Sequence, residues 1–131
     1  MIIKNRQGHF HEFDLFEAHF RVLLPREKSE GIEVLEEDWG AGGDAPLLAH
    51  AEMEQLYYIL SGHGFVTVDD EQGEVEQGDF VFIPRRARHA IKNNGQERLK
   101  YLCFDIFPQG YPKGEETWEG HEKTIFKQFK K

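Results

Sequence analysis

One cysteine, Cys103, occurs in 131 residues. An internal disulfide is therefore excluded, and so is any metal cluster held by several thiolates. No apolar run approaches the roughly 20 residues that a membrane-spanning helix requires. The N-terminal stretch MIIKNRQGHFHEF has neither the apolar core nor the small-residue cleavage site of an export signal. Together these absences predict a chain that is neither exported nor membrane-embedded and that sits in a reducing cytoplasm. Positive charge is also in short supply: 16 Lys and Arg face 24 Asp and Glu, for a formal net charge of -8 at pH 7. Such a chain repels a phosphate backbone, and its basic residues form no extended stripe except in the closing TIFKQFKK. Nucleic acid is not an expected partner, and the basic tail reads as a loosely held terminus.

What the chain does contain is strand pattern. Its length suits one domain with a real core, and 39% hydrophobic with 31% charged residues fits a globular protein with a well-solvated surface. Residues 17–24, EAHFRVLL, put Phe20, Val22 and Leu24 on one face and His19, Arg21 and Leu23 on the other. In residues 31–39, Ile32 and Val34 alternate against Glu33. The runs 56–60 and 65–68, joined by SGHG, read as a paired hairpin. A turn over 69–73 and a short strand over 74–77 follow, then a corner at Gly78. Residues 99–107, LKYLCFDIF, form the longest apolar strand, expected to be central. Beyond Pro108 the composition changes, and an appendage of one short helix or strand is expected to pack Trp118 and Phe126 across the sheet. Many short strands with glycine and proline turns point to an all-β sandwich or barrel.

Residues 78–93, GDFVFIPRRARHAIKN, ask for one strand ending at Pro84 and another starting at His89. In a small antiparallel barrel, side chains alternate inward and outward, so His89 can face the interior if its apolar neighbours pack behind it. Gly78, Pro84, His89 and Asn93 stand in the register of the second motif of the cupins, with Arg86 where that family usually has glycine. Gly42, His50 and Gly62 resemble their first motif, with Leu48 at its first histidine position and Gln55 at its glutamate position. The likeness covers about residues 31–108. It implies an antiparallel double-stranded β-helix, the jelly-roll barrel, with a short C-terminal appendage.

That resemblance further implies a metal site of His50, Gln55 and His89. Two imidazoles and an amide oxygen can hold a first-row divalent ion such as zinc, iron, manganese or nickel. Leucine at position 48 removes one imidazole, and glutamine at 55 leaves no negative charge among the ligands. Glu52, two residues beyond His50, is a substitute donor. A bound metal and a pocket that has lost it are both open on the sequence. His89 also reads as a buried neutral histidine, and Gln55 as an amide that satisfies strand ends. His9, His11, His19, His63 and His121 read as surface or packing residues, with His9 and His11 close enough on a strand to share a face.

Arg85, Arg86 and Arg88 lie on the connection into His89, at the barrel mouth by the same resemblance. Guanidinium forks there suit a carboxylate or phosphate ligand, so Arg86, Arg88 and Tyr58 are candidate substrate-binding residues. A solvated cationic loop is the competing reading. Three functions follow: a metal-dependent enzyme, isomerase or dioxygenase, on a small anionic metabolite; a metal-free small-molecule binding protein; and a sensor, which would need a separate partner because no helix-turn-helix pattern is present. Cupins of one domain commonly pair, so a homodimer is expected, with Trp118 and Phe126 covering a sheet edge.

Overall fold

The computed structural model describes residues 1–4 and 11–129, which leaves His9 outside the described residues. Within them run β1 (His11–Leu15), β2 (Ala18–Leu24), a one-turn 3-10 helix (Arg26–Lys28), β3 (Ile32–Trp39), β4 (Glu54–Ser61), β5 (His63–Val68), β6 (Glu71–Glu76), β7 (Phe80–Ile83), β8 (His89–Lys92), β9 (Leu99–Ile106) and the helix α1 (Trp118–Phe129). Six strands form one antiparallel sheet in the order β1-β2-β3-β9-β4-β7, and three form a second in the order β6-β5-β8. The core draws on both: Leu35, Tyr57 and Cys103 come from the larger sheet, Val66 and Ile91 from the smaller. This is the all-β architecture that the strand pattern implied and the jelly roll that the cupin resemblance implied. No helix among the described residues is long and apolar enough to cross a membrane.

The run 99–107 is central, since β9 lies between β3 and β4 and pairs along its whole length with β3. The expected pairing of the runs 56–60 and 65–68 does not occur. β4 pairs with β9 and β7, whereas β5 pairs with β6 and β8, so the chain crosses from one sheet to the other at Gly62. Gly62 has φ 84°, and a Cβ there would collide with the backbone of Arg98 and Leu99. A residue that is both left-handed and pressed against a neighbouring strand redirects the chain instead of closing a hairpin. The real hairpin is β5–β6, closed by Asp69 and Asp70 between the paired Val68 and Glu71. The expected turn over 69–73 is thus shorter, and the strand begins at Glu71.

A second difference concerns β3, whose faces are opposite to the reading from Ile32 and Val34. Glu33 is completely buried and Ile32 is exposed. Arg26 explains this: its Nε and Nη2 donate to the two Glu33 carboxylate oxygens at 3.0 and 2.6 Å, so the inward acid arrives with its counter-ion. The same guanidinium donates to the Glu115 carbonyl at 2.8 Å and lies over the rings of Phe107, Tyr111 and Trp118. Arg26 therefore ties the sheet to the C-terminal segment.

The appendage is a helix. Glu27 Oε1 accepts the Trp118 amide proton at 3.2 Å, capping the first turn of α1. Trp118 is buried, and Phe126 meets Phe13 edge-on at 5.8 Å, while Phe13 stacks on Phe20 at 4.8 Å. Each such ring pair contributes about 0.5–1.5 kcal/mol beyond its buried area. Trp118 and Phe126 are thus engaged within their own chain.

Candidate functional site

The two sheets and α1 enclose a cavity of about 470 Å³. Its floor is the inward face of β3, β9 and β4, where cross-strand pairing sets Glu37 beside Tyr101, Leu35 beside Cys103 beside Tyr57, and Glu33 beside Asp105 beside Gln55. Strand parity brings these side chains to one surface, since residues two apart share a face. The wall opposite carries His89 and Ile91 from β8, and α1 covers one side with Trp118, His121, Ile125 and Phe129.

A polar stripe crosses this apolar floor. Tyr101 donates its hydroxyl proton to Glu37 Oε1 at 2.7 Å, and the Trp39 indole N–H donates to the Tyr101 oxygen at 3.0 Å. Burial raises the Glu37 carboxyl to about 7, against the pull of the hydrogen bonds from Tyr101 and Trp39. Further along, Gln55 Nε2 donates to Asp105 Oδ1 at 2.8 Å, and the Cys103 thiol donates to the same oxygen at 3.3 Å. Burial, and then the neighbouring Asp105, push Glu33 up to about 8 while Arg26 pulls it back; burial raises Asp105 as well. Two carboxyls facing each other across a strand pair hold one proton between them. Arg26 opposes the rise at Glu33, and the bonds from Gln55 and Cys103 oppose it at Asp105, so the two carboxyls titrate as a pair.

The imidazoles of His50 and His89 face each other with ring centroids 5.1 Å apart. His89 Nδ1–H donates to the Ala87 carbonyl at 3.1 Å, which leaves Nε2 as the ring's acceptor. Burial lowers both rings: His50 falls to about 4, helped by His89 and opposed by Glu52, and His89 falls against the bond to Ala87. Both are neutral at pH 7. Glu52 sits in a bend, not on a strand, yet its carboxylate still comes within 3.8 Å of His50 Nδ1.

His50, Gln55 and His89 are therefore gathered at one cavity, with Leu48 and Glu52 on its wall. Tyr58, Arg86 and Arg88 are not. Tyr58 points outward from β4 and is 41% exposed, and Arg86 and Arg88 are exposed on the β7–β8 connection. Tyr57 and Tyr101 do line the cavity. Sequence reading passed over Glu37, Asp105 and Trp118. Asp105 had a visible signal, an acid in the same parity as Leu99, Tyr101 and Cys103 within the longest apolar strand.

Residues 35–105 match a family model described as a cupin domain. The chain belongs to the cupin family. An uncharacterised protein of Methanocaldococcus jannaschii is 40% identical to this cupin over 70 residues, 53% of this chain and 56% of that one. Another, from Aquifex aeolicus, is 29% identical over 42% of this chain and 46% of its own length. This cupin thus spans about half the length of these curated relatives. Among solved structures, a predicted oxalate decarboxylase of Thermotoga maritima superposes with a TM-score of 0.72 at 20% identity, covering 82% of this chain and 99% of that one. The cupin domain of Schizosaccharomyces pombe Cnp3 superposes with a TM-score of 0.71 at 17% identity, covering 95% and 82%. Likeness at that identity concerns the fold.

Metal sites are frequent in the cupin family, so the donor set of this cupin must be weighed. Leu48 exchanges two backbone hydrogen bonds with His89, N–H to carbonyl at 2.9 and 2.8 Å. Residues paired in this way present their side chains on the same face, so an isobutyl group stands where a third imidazole would approach. Among the described residues, no three His, Cys, Asp or Glu side chains are grouped to hold an ion. Two imidazoles and a neutral amide fall short of the three strong protein donors that resident divalent sites commonly use.

Arg86 keeps the backbone of the family's glycine without being one. Its φ is +73°, and its amide donates to the His50 carbonyl at 2.7 Å, which fixes the loop that carries His50.

Proposed function

We propose that this cupin is a small-molecule binding protein whose ligand occupies the barrel cavity without a resident metal. One observation carries the reading: Gln55 Oε1 and Trp118 Nε1, both in residues that line the cavity, are buried with no hydrogen-bond partner. Gln55 spends its amide N–H on Asp105 Oδ1 at 2.8 Å, and its oxygen is the end left over. A buried polar atom left unpaired costs about 1–3 kcal/mol, and a ligand bearing both a donor and an acceptor would recover it. The volume is of the size that ordinary metabolites occupy. The anionic ligand expected from Arg86 and Arg88 lacks support, since both arginines lie outside the cavity lining.

The test is a titration with N-phenyl-1-naphthylamine, an uncharged fluorescent probe, in the presence of EDTA. Saturable binding of one probe per chain is expected, lost in Ala45→Trp, which fills the cavity from its edge. Binding that needs added metal, or that survives the filled cavity, would overturn the reading.

An enzymatic reading is favoured by one feature, the Glu37 carboxyl held near neutrality in an apolar cavity, which suits general acid–base transfer of a proton. A metal-dependent isomerase or dioxygenase lacks the donor set described above.

We further propose a homodimer formed by the outer face of the larger sheet. Phe80 is 60% and Phe82 48% exposed on the edge strand β7, opposite Tyr58 and Leu56 of β4. An apolar patch continuous with an unpaired strand edge suits a second copy of itself. Light scattering on the eluting protein is expected to give twice 15.3 kDa for the wild type and 15.3 kDa for Phe80→Lys/Phe82→Lys. A wild-type monomer at micromolar concentration would contradict it.

A further inference from the structure

Resting on the cavity reading above, we propose that the ligand is an organic amine, bound as its ammonium with its apolar part among the aromatic rings. Among the described residues no lysine or arginine lines the cavity, whereas Glu37, Glu52, Asp105 and Glu115 do. Burial keeps His50 and His89 unprotonated at neutral pH, and the third wall histidine, His121, is taken up by Glu115 at 2.7 Å. An anion entering this space would lose its hydration and meet carboxyls, with no cation to replace the water.

The acceptors on the floor point the same way. Tyr101 and Trp39 both donate to Glu37 Oε1, at 2.7 and 3.4 Å, and the Cys103 thiol also bonds this carboxyl, which faces the cavity as an acceptor. Gln55 Oε1 is a second acceptor without a donor. Glu37 is 7% exposed and Gln55 7%, so each is more than nine-tenths buried. An ammonium offers three donors and no acceptor, which matches Gln55 Oε1 on the floor, while the Trp118 N–H calls for an acceptor elsewhere on the ligand. Phe20, Trp39, Tyr57, Tyr101, Trp118 and Phe129 supply the ring faces that attract a cation by their quadrupoles while packing its hydrocarbon part. A cation seated beside the Glu37 carboxylate holds it ionised, as an opposite charge does for any buried carboxyl.

Three probes of one shape separate this from its alternatives: 2-naphthylmethylamine, 2-naphthalenemethanol and 2-naphthoate, each titrated by calorimetry at pH 7. The amine is expected to bind at least tenfold more tightly than the carboxylate and more tightly than the alcohol. In Glu37→Gln the amine-to-alcohol affinity ratio should fall at least fivefold. A carboxylate that binds as tightly as the amine, or an alcohol that outranks it, overturns the amine inference and leaves the cavity reading standing. Failure of all three probes, together with failure of N-phenyl-1-naphthylamine, overturns both. The wild-type ranking decides the matter even if the variant does not fold.

Discussion

Leu48 stands directly across the strand ladder from His89, their backbones joined by two hydrogen bonds of 2.9 and 2.8 Å. An apolar side chain therefore stands beside that imidazole on the same face. Leu48→His should turn two histidines into three on one face and create a divalent site. Removing an outer partner of a ligand already costs roughly 10–100-fold in metal affinity, so gaining a ligand should raise it at least about tenfold. Equilibrium dialysis against nickel or zinc, with metal analysis, measures it. A variant no tighter than the wild type would mean that the imidazoles do not converge.

Glu37→Gln tests the buried carboxyl by stability. The folded chain holds the Glu37 proton up to about pH 7, whereas the unfolded chain releases it near 4.5. That contribution to stability is present below pH 4.5 and is lost as pH rises through 7. Glutamine has no proton to lose. Urea unfolding should therefore show the variant gaining on the wild type by about 3 kcal/mol between pH 4.5 and pH 8. A difference that stays constant with pH would show that Glu37 is ionised throughout.

Arg26→Met leaves Glu33 buried without its counter-ion, and such losses cost about 3–5 kcal/mol. The double variant Arg26→Met/Glu33→Leu should recover most of that, because the unpaired charge is then gone. Hydrogen exchange should rise at residues 111–129 in either variant, since the Arg26 bond to the Glu115 carbonyl is lost. Protection unchanged there would contradict the role of Arg26 as a tie between sheet and helix.

Much of this was legible in the chain. Pro84 ends β7 and His89 begins β8, as the GDFVFIPRRARHAIKN spacing implied, because a proline closes a strand and glycine turns a corner by local rules. His50, Gln55 and His89 were grouped by the cupin resemblance alone, and all three line the cavity. The crossing at Gly62 was not legible: SGHG reads equally well as a hairpin, and only the close approach of the Arg98–Leu99 backbone excludes that. Nor was the face of β3, since hydropathy sends Ile32 inward and only the distant Arg26 reverses it. The polar floor needs pairing across β3, β9 and β4, which local pattern does not carry.

Arg86 holds φ +73°, a conformation that costs a residue with a Cβ about 1–2 kcal/mol. Arg86→Gly should relieve that strain and keep the amide bond to His50, while glycine's extra freedom in the unfolded chain returns about 0.4–1 kcal/mol. A net gain of up to about 1 kcal/mol is expected in chemical denaturation. A loss of that size would mean that the Arg86 side chain stabilises the loop by contacts of its own.

The most direct test of a ligand-binding cavity is to locate a bound probe by intermolecular nuclear Overhauser effects, using N-phenyl-1-naphthylamine and methyl-labelled protein. Contacts from the probe rings to the methyls of Leu35, Met53 and Ile91, all on the cavity wall, are predicted. Contacts to Leu56 on the outer face, beside the exposed Phe82, would place the probe on the sheet exterior and contradict the account.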